Sequence, residues 1–204
     1  MTVSKNNRFV CTGGELGEVR IWEIKSLEMV STLKEHKSKV TKVQLMENDL
    51  HLLTTAKDRS ILIWDLTKEQ RISNYQTSMG GVNDFSLSPI DPYLLITVGK
   101  DRRIVHWDLR QPKPIKSISS HPNSRSELED ELFACCISND GRLLATGGVK
   151  GVIRIYDLPN MSFICEQPAH SETCVNLFFT KDDKHIVSAG SDSQILTYEL
   201  NYDM

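Results

Sequence analysis

His36-Lys-Ser-Lys-Val-Thr-Lys-Val-Gln-Leu-Met-Glu-Asn-Asp-Leu-His-Leu-Leu-Thr-Thr-Ala-Lys-Asp-Arg-Ser-Ile-Leu-Ile-Trp64 reads as three short strands and two turns. Val40–Leu45 alternates enough for a half-buried strand, and Leu50–Thr55 is a second, largely apolar one. Asn48-Asp49 turns the chain between them. Lys57–Ser60 turns it again before a third strand at Ile61–Trp64, and Arg71–Tyr75 supplies a fourth. Four short strands at close spacing, punctuated by turn residues, are the pattern of antiparallel β structure.

The stretch recurs along the chain. Trp22, Trp64, Trp107, Tyr156 and Tyr198 are each followed by an acid and an aliphatic, at intervals of 42, 43, 49 and 42 residues. A repeat of about 40–45 residues ending in Trp-Asp is a propeller-blade signature. The other first turns fall at Asn6-Asn7, Pro89–Pro92, Asn139–Gly141 and Lys181–Lys184. The other third strands fall at Val19–Trp22, Ile104–Trp107, Val152–Tyr156 and Ile195–Tyr198. The expected architecture is all-β, one partial β-propeller over residues 1–204. Its repeats run about 1–32, 33–75, 76–118, 119–167 and 168–204. Isolated four-stranded sheets would leave both faces wet, and radial stacking buries them.

Bulk properties set the class. Hydrophobic content of 39% and charged content of 25% are ordinary for a globular chain. A net charge of −3 gives no basic footprint for nucleic acid. No apolar run reaches the ~18 residues of a membrane span, and the N-terminus shows no apolar signal region. Cys11, Cys135, Cys136, Cys165 and Cys174 are irregularly spaced and lack any C-x-x-C pair, which favours reduced thiols and a cytoplasmic setting.

The chain resembles the WD40-repeat propeller family along essentially its whole length. Blades of that family often hold a hydrogen-bonded set of a His, a Ser or Thr, an Asp and a Trp. The resemblance implies one such tetrad at His36, Thr54, Asp58 and Trp64, and another at His170, Ser188, Asp192 and Tyr198. In both, the His lies 28 residues and the Asp 6 residues before the aromatic. Repeat three keeps Thr97, Asp101 and Trp107 but has Ser78 at the His position. Leu16 and Lys150 replace the Asp in repeats one and four, where Gly17 and Gly151 retain the turn.

Repeat one, aligned on Trp22, places Val3 where Phe179 sits in repeat five, so its first strand should begin before Met1. Too little follows Tyr198 for a fourth strand and its turn. The family most often closes with seven blades. The expectation is therefore about five blades of a larger ring, or a chain whose propeller is completed by another.

Catalytic readings find little support. His36 and His170 are explained by tetrad spacing, and no His pair has H-E-x-x-H spacing. Gly13-Gly14, Gly80-Gly81 and Gly147-Gly148 lack a strand–loop–helix context for phosphate binding. Asp58, Asp101 and Asp192 repeat at one position, as structural residues do. The reading is a non-enzyme with no cofactor, no metal and no small-molecule substrate.

Partner-binding candidates lie in loops. Lys37, Lys39, Lys57 and Lys100 fall at loops expected on one face, with an acidic insertion carrying Glu127, Glu129, Asp130 and Glu131. Opposite charges so placed would steer a protein partner. Trp107-Asp-Leu-Arg110 resembles the W-D-x-R motif by which some family members dock a cullin-type ubiquitin-ligase adaptor, with Arg110 as anchor. Gly14–Glu23, Leu33–His36 and Ser78–Asn83 resemble stretches of cilia- and flagella-associated members. That resemblance implies a scaffold of the axoneme, with tubulin or axonemal proteins as partners. The alternative is a ubiquitin-ligase substrate receptor.

Overall fold

The structure, a computed structural model, describes residues 1–78, 80–120 and 131–200. Every regular element among them is a β-strand, and the strands form five antiparallel sheets. The first holds β1 (Thr2–Val3), β2 (Phe9–Gly13), β3 (Glu18–Glu23) and β4 (Met29–Lys34). The second holds β5 (Val40–Leu45), β6 (His51–Ala56), β7 (Ser60–Asp65) and β8 (Gln70–Gln76). The third holds β9 (Val82–Leu87), β10 (Leu94–Gly99), β11 (Arg103–Asp108) and β12 (Pro114–Ser119). The fourth holds β13 (Leu132–Ile137), β14 (Leu143–Gly148), β15 (Val152–Asp157) and β16 (Ser162–Pro168). The fifth has three strands among the described residues: β17 (Cys174–Phe179), β18 (His185–Gly190) and β19 (Ile195–Glu199). Within each sheet the strands lie side by side in chain order. The chain divides into two compact units, Met1–Asn83 and Asp84–Met204.

The register repeats with the sequence. Val3 pairs with Val10 and Val10 with Trp22, as Phe179 pairs with Ile186 and Ile186 with Tyr198. The first strand of repeat one is thus present as a two-residue piece. The second strand of repeat two starts at His51 rather than Leu50, because the Asn48 side chain accepts the Leu50 amide at 3.0 Å and keeps it in the turn.

Alternate residues of each strand point to opposite faces, so a sheet can pack on both sides. In the first unit, Cys11, Val19, Ile21 and Leu33 pack against Val40, Val43, Leu52, Leu62 and Trp64 of the next sheet. In the second, Ile96, Val98 and Ile104 meet Leu132, Ile137, Leu144 and Tyr156, while Ala134, Ala145, Ile153 and Ile155 meet Cys174, Leu177, Phe179 and Ile186. Fully burying one such side chain stabilises the fold by about 1.5–3 kcal/mol.

Polar clamps accompany these apolar contacts. The turn joining the first two strands puts Asn7, Asp49, Gly141 and Asp183 at one equivalent position, all at positive φ. Asp49 reaches back one sheet to accept the Lys5 amide at 2.8 Å. Asp183 does the same for the amides of Asn139 and Asp140, at 2.8 and 2.9 Å.

Candidate functional site

In the second sheet, β6 carries Thr54, β7 carries Trp64, the turn between them carries Asp58, and the segment entering β5 carries His36. Trp64 Nε1 donates to Thr54 Oγ1 at 2.9 Å, and Thr54 Oγ1 lies 2.8 Å from His36 Nε2. His36 Nδ1 faces Asp58 at 3.2 Å and Ser60 Oγ at 2.8 Å. A neutral imidazole with its proton on Nδ1 satisfies this chain: indole to threonine, threonine to Nε2, Nδ1 to the carboxylate. Burial holds the His36 pKa below its ordinary value despite the neighbouring Asp58 charge. Burial also opposes the charge on Asp58, yet the Ser60 hydroxyl and the amides of Lys37 and Ser60 hold it below the usual carboxylate range. Both His36 ring nitrogens are engaged, which leaves no lone pair for a metal or substrate.

The fifth sheet brings together three of its four predicted members. His170 Nδ1 meets Asp192 at 3.0 Å and its Nε2 meets Ser188 Oγ at 2.8 Å. The Ser171 amide donates to Asp192 at 3.0 Å. Tyr198 makes no hydrogen bond to Ser188 among the described residues. A phenol carries no N–H where an indole would, and Tyr198 instead packs against the neighbouring apolar cluster. In the third sheet Trp107 Nε1 donates to Thr97 Oγ1 at 2.9 Å, and Asp101 accepts the Arg103 amide at 3.3 Å.

Sequence reasoning missed several participants. Trp22 Nε1 donates to Thr12 Oγ1 at 3.2 Å, although that repeat lacks the His and Asp. A Ser or Thr stands ten residues before every one of the five aromatics, a signal that would have found it. Ser60 was missed as a second neighbour of His36, and Asp84 as the acceptor of the Cys135 amide at 2.9 Å. In the fourth sheet Tyr156 Oη passes Thr146 and donates to the Ser120 carbonyl at 2.8 Å. Thr146 Oγ1 is buried and has no partner among the described residues.

The lysine candidates separate. Lys37 N donates to Asp58 at 2.7 Å and Lys57 N to the Lys39 carbonyl at 3.0 Å, so these three lie at one end of the second sheet. Lys37 and Lys39 are exposed. Lys39 Nζ pairs with Glu15 at 3.1 Å, and Lys57 Nζ donates to the Asn83 side chain. Lys100 is exposed on the β10–β11 turn of the second unit. Glu131 is half-buried, and its carbonyl accepts the Val149 amide at 3.0 Å. Glu127, Glu129 and Asp130 lie outside the described residues.

Arg110 follows β11 at the opposite end of its sheet from Lys100. Its Nε donates to Asp108 at 2.7 Å, a second nitrogen lies 3.3 Å from Asp91, and its guanidinium sits 5.2 Å over the Tyr93 ring. The Arg110 bonds hold Asp108 below the ordinary carboxylate value. Arg110 is half-exposed and already held by two carboxylates and an aromatic ring. Cys11 and Cys174 are buried, and burial pushes both thiols up to about 11. Among the described residues no group of three or more His, Cys, Asp or Glu is arranged to hold a metal.

Comparison with known proteins agrees with this architecture. The family model for the WD domain, G-beta repeat, matches residues 27–65 and 112–157. Cilia- and flagella-associated protein 52 of Homo sapiens is 26% identical over 203 residues, covering 98% of this chain and 31% of that protein. Target of rapamycin complex subunit LST8 of Saccharomyces cerevisiae is 24% identical, covering 100% of this chain and 67% of that protein. The chain spans about a third of the length of the ciliary relatives it matches. The crystal structure of the Cps50 (Swd1) β-propeller domain from Myceliophteria thermophila superimposes with a TM-score of 0.85 at 18% identity, covering 99% of this chain and 66% of that one. Residues 27–65 and 112–157 thus match the WD-repeat model, and the sheets fold like the blades of a β-propeller.

Proposed function

We propose that the chain is a non-catalytic protein-interaction scaffold within a large axonemal assembly. The observation that carries the reading is the extent of the similarity to cilia- and flagella-associated protein 52. It runs over 97–98% of the chain at 25–26% identity in the proteins of four mammals, whereas the LST8 subunit, matched over the whole chain, is 24% identical. The hydrogen-bonded sets around His36 and His170 act as braces: they tie the segment entering each sheet to the turn between its second and third strands. Loops so held present Lys37 and its neighbours at fixed positions, which lowers the entropy lost when a partner binds.

Proximity labelling from the tagged chain in ciliated cells tests the proposal, with tubulin and axonemal proteins as the expected neighbours. Charge reversal at Lys37, Lys39 and Lys57 should reduce their recovery, and more so at low salt, where surface charges act furthest. A neighbour set without ciliary proteins overturns the reading. Recovery of a cullin adaptor that is lost on Arg110→Ala would replace it with the ligase-receptor reading.

A further inference from the structure

In the first unit, two of the chain's own glutamates sit on cations that they only partly cover. Arg71 of β8 pairs through Nη1 with Glu35, from the segment joining β4 to β5, at side-chain exposures of 40% and 38%. Lys39 holds Glu15 at 3.1 Å, and both are more exposed still. The Arg71–Glu35 pair lies in a groove of about 230 Å3 between that segment and strands β7 and β8, lined also by Lys37, Asn74, Gln76 and the buried Leu62. Both walls of the groove belong to the first unit, so it is a feature of two neighbouring blades and not of an end face.

The groove has more unspent cations than unspent acids. Asp58 also borders it, but its oxygens already take the amides of Lys37 and Ser60 at 2.7 and 3.0 Å and face His36 at 3.2 Å. The Lys37 and Arg59 side chains are exposed and make no ion pair among the described residues. Arg59 stands on the turn between the lining residues Asp58 and Ser60, and its carbonyl takes the Thr77 amide at 2.9 Å, next to Gln76. Gln76 Nε2 donates to Asn74 Oδ1 at 3.1 Å, which leaves the Asn74 Nδ2 donors to offer. The charge of the wider surface has the same sign. Met1–Asn83 carries 12 Lys and Arg against 10 Asp and Glu, a net +2, whereas Asp84–Met204 carries 12 against 17, a net −5. An acidic ligand is therefore drawn to the first unit and away from the second.

We infer that this groove binds an acidic segment of a protein partner, whose carboxylates replace Glu35 on Arg71 and pair with Lys37 and Arg59. Glu35 shows what the seat accepts: a carboxylate on a guanidinium whose planar fork suits it. A pair this exposed contributes little to the fold, so exchanging Glu35 for a partner's acid costs little. The inference gives the scaffold reading a partner chemistry, and rests on it only in requiring that the partner be a protein.

Fluorescence anisotropy of a labelled octaglutamate peptide tests it on the 204-residue chain, with octaglutamine as the neutral probe. Octaglutamate should bind, more weakly as salt rises, and octaglutamine should not. Lys37→Glu, Arg59→Glu and Arg71→Gln should each weaken binding about two- to fivefold, the worth of one exposed ion pair. Lys25→Glu, an equal charge change between β3 and β4, should leave affinity unaltered. Glu35→Gln should tighten binding by a similar factor because it empties the seat, and that gain should shrink once Arg71 is glutamine. Glu47→Gln, which removes an equal charge in the β5–β6 turn, should give no gain. Melting midpoints separate a lost contact from a lost fold. Absent octaglutamate binding overturns the inference, as does a folded Glu35→Gln variant that binds no more tightly than wild type. So does a Lys25→Glu loss equal to that of Lys37→Glu. Peptide binding is read without cells, so its failure leaves the proximity-labelling result of the scaffold reading untouched.

Discussion

At the residue scale, Thr54 and Thr146 hold the same place in their blades, ten residues before the aromatic, with opposite consequences. Thr54 Oγ1 serves both Trp64 Nε1 and His36 Nε2. Replacing it with valine leaves a buried donor and a buried acceptor unmet, a loss of about 2–4 kcal/mol. Thr146 Oγ1 serves nothing among the described residues, because Tyr156 reaches past it to Ser120. Thr146→Val removes a buried hydroxyl without stranding a partner, and should raise stability by roughly 1 kcal/mol. Urea denaturation of the two variants measures both, and equal losses would contradict the assignment. The sequence presents both threonines alike. What separates them is the side-chain chemistry of the aromatic: an indole N–H points at the hydroxyl, whereas a phenol carries its donor at the far end of the ring.

At the scale of a single turn, the residue five before each aromatic adopts positive φ in all five blades: Gly17, Arg59, Arg102, Gly151 and Ser193. Two solutions reach one conformation. Where Asp58, Asp101 or Asp192 precedes, its carboxylate accepts the amide two residues on and holds the turn, at 3.0, 3.3 and 3.2 Å. Where Leu16 or Lys150 precedes, glycine supplies the conformation at little steric cost. A close approach also fixes Gly151: a Cβ there would lie 2.1 Å from the His170 carbonyl oxygen and 2.4 Å from that of Glu172. Gly151→Ala should therefore cost at least ~2 kcal/mol, whereas Ser193→Gly should stay within about 0.5 kcal/mol of wild type. Thermal melts would show this directly, and a Ser193→Gly loss matching Gly151→Ala would defeat the explanation. The loss of the acid and the retention of glycine were both legible in the sequence. The carbonyls pressed against Gly151 were not, because they come from the segment entering the next blade.

At the scale of the molecule, the aromatic period made the sheets legible, since strand length and turn chemistry recur with it. The division at Asn83 and Asp84 was not legible, because it falls inside β9, two residues into the strand. The buried titratable groups of both units act together on stability. Burial holds His36 and His106 below the ordinary imidazole value. Below ~6.5 the unfolded chain takes up protons that these folded imidazoles resist, so stability falls as pH drops through that range. Asp58 and Asp192 are held below the usual carboxylate value by the amides, hydroxyl and imidazole around them. Their contribution is present above ~4 and is lost as pH falls through the depressed folded values. Both acid-side steps therefore have the same sign. Cys11 and Cys174, pushed up to about 11, work from the other side. The unfolded thiols ionise from ~8.5, so stability declines again as pH rises from there toward the folded value. Urea midpoints at constant ionic strength should form a plateau between about pH 7 and 8, with a first descent below pH 6.5 and a steeper one below pH 4. A midpoint that rises between pH 6.5 and 5 would show that the folded imidazoles bind protons more readily than the unfolded ones. The neutral His36 at the centre of the second blade's network would then be wrong.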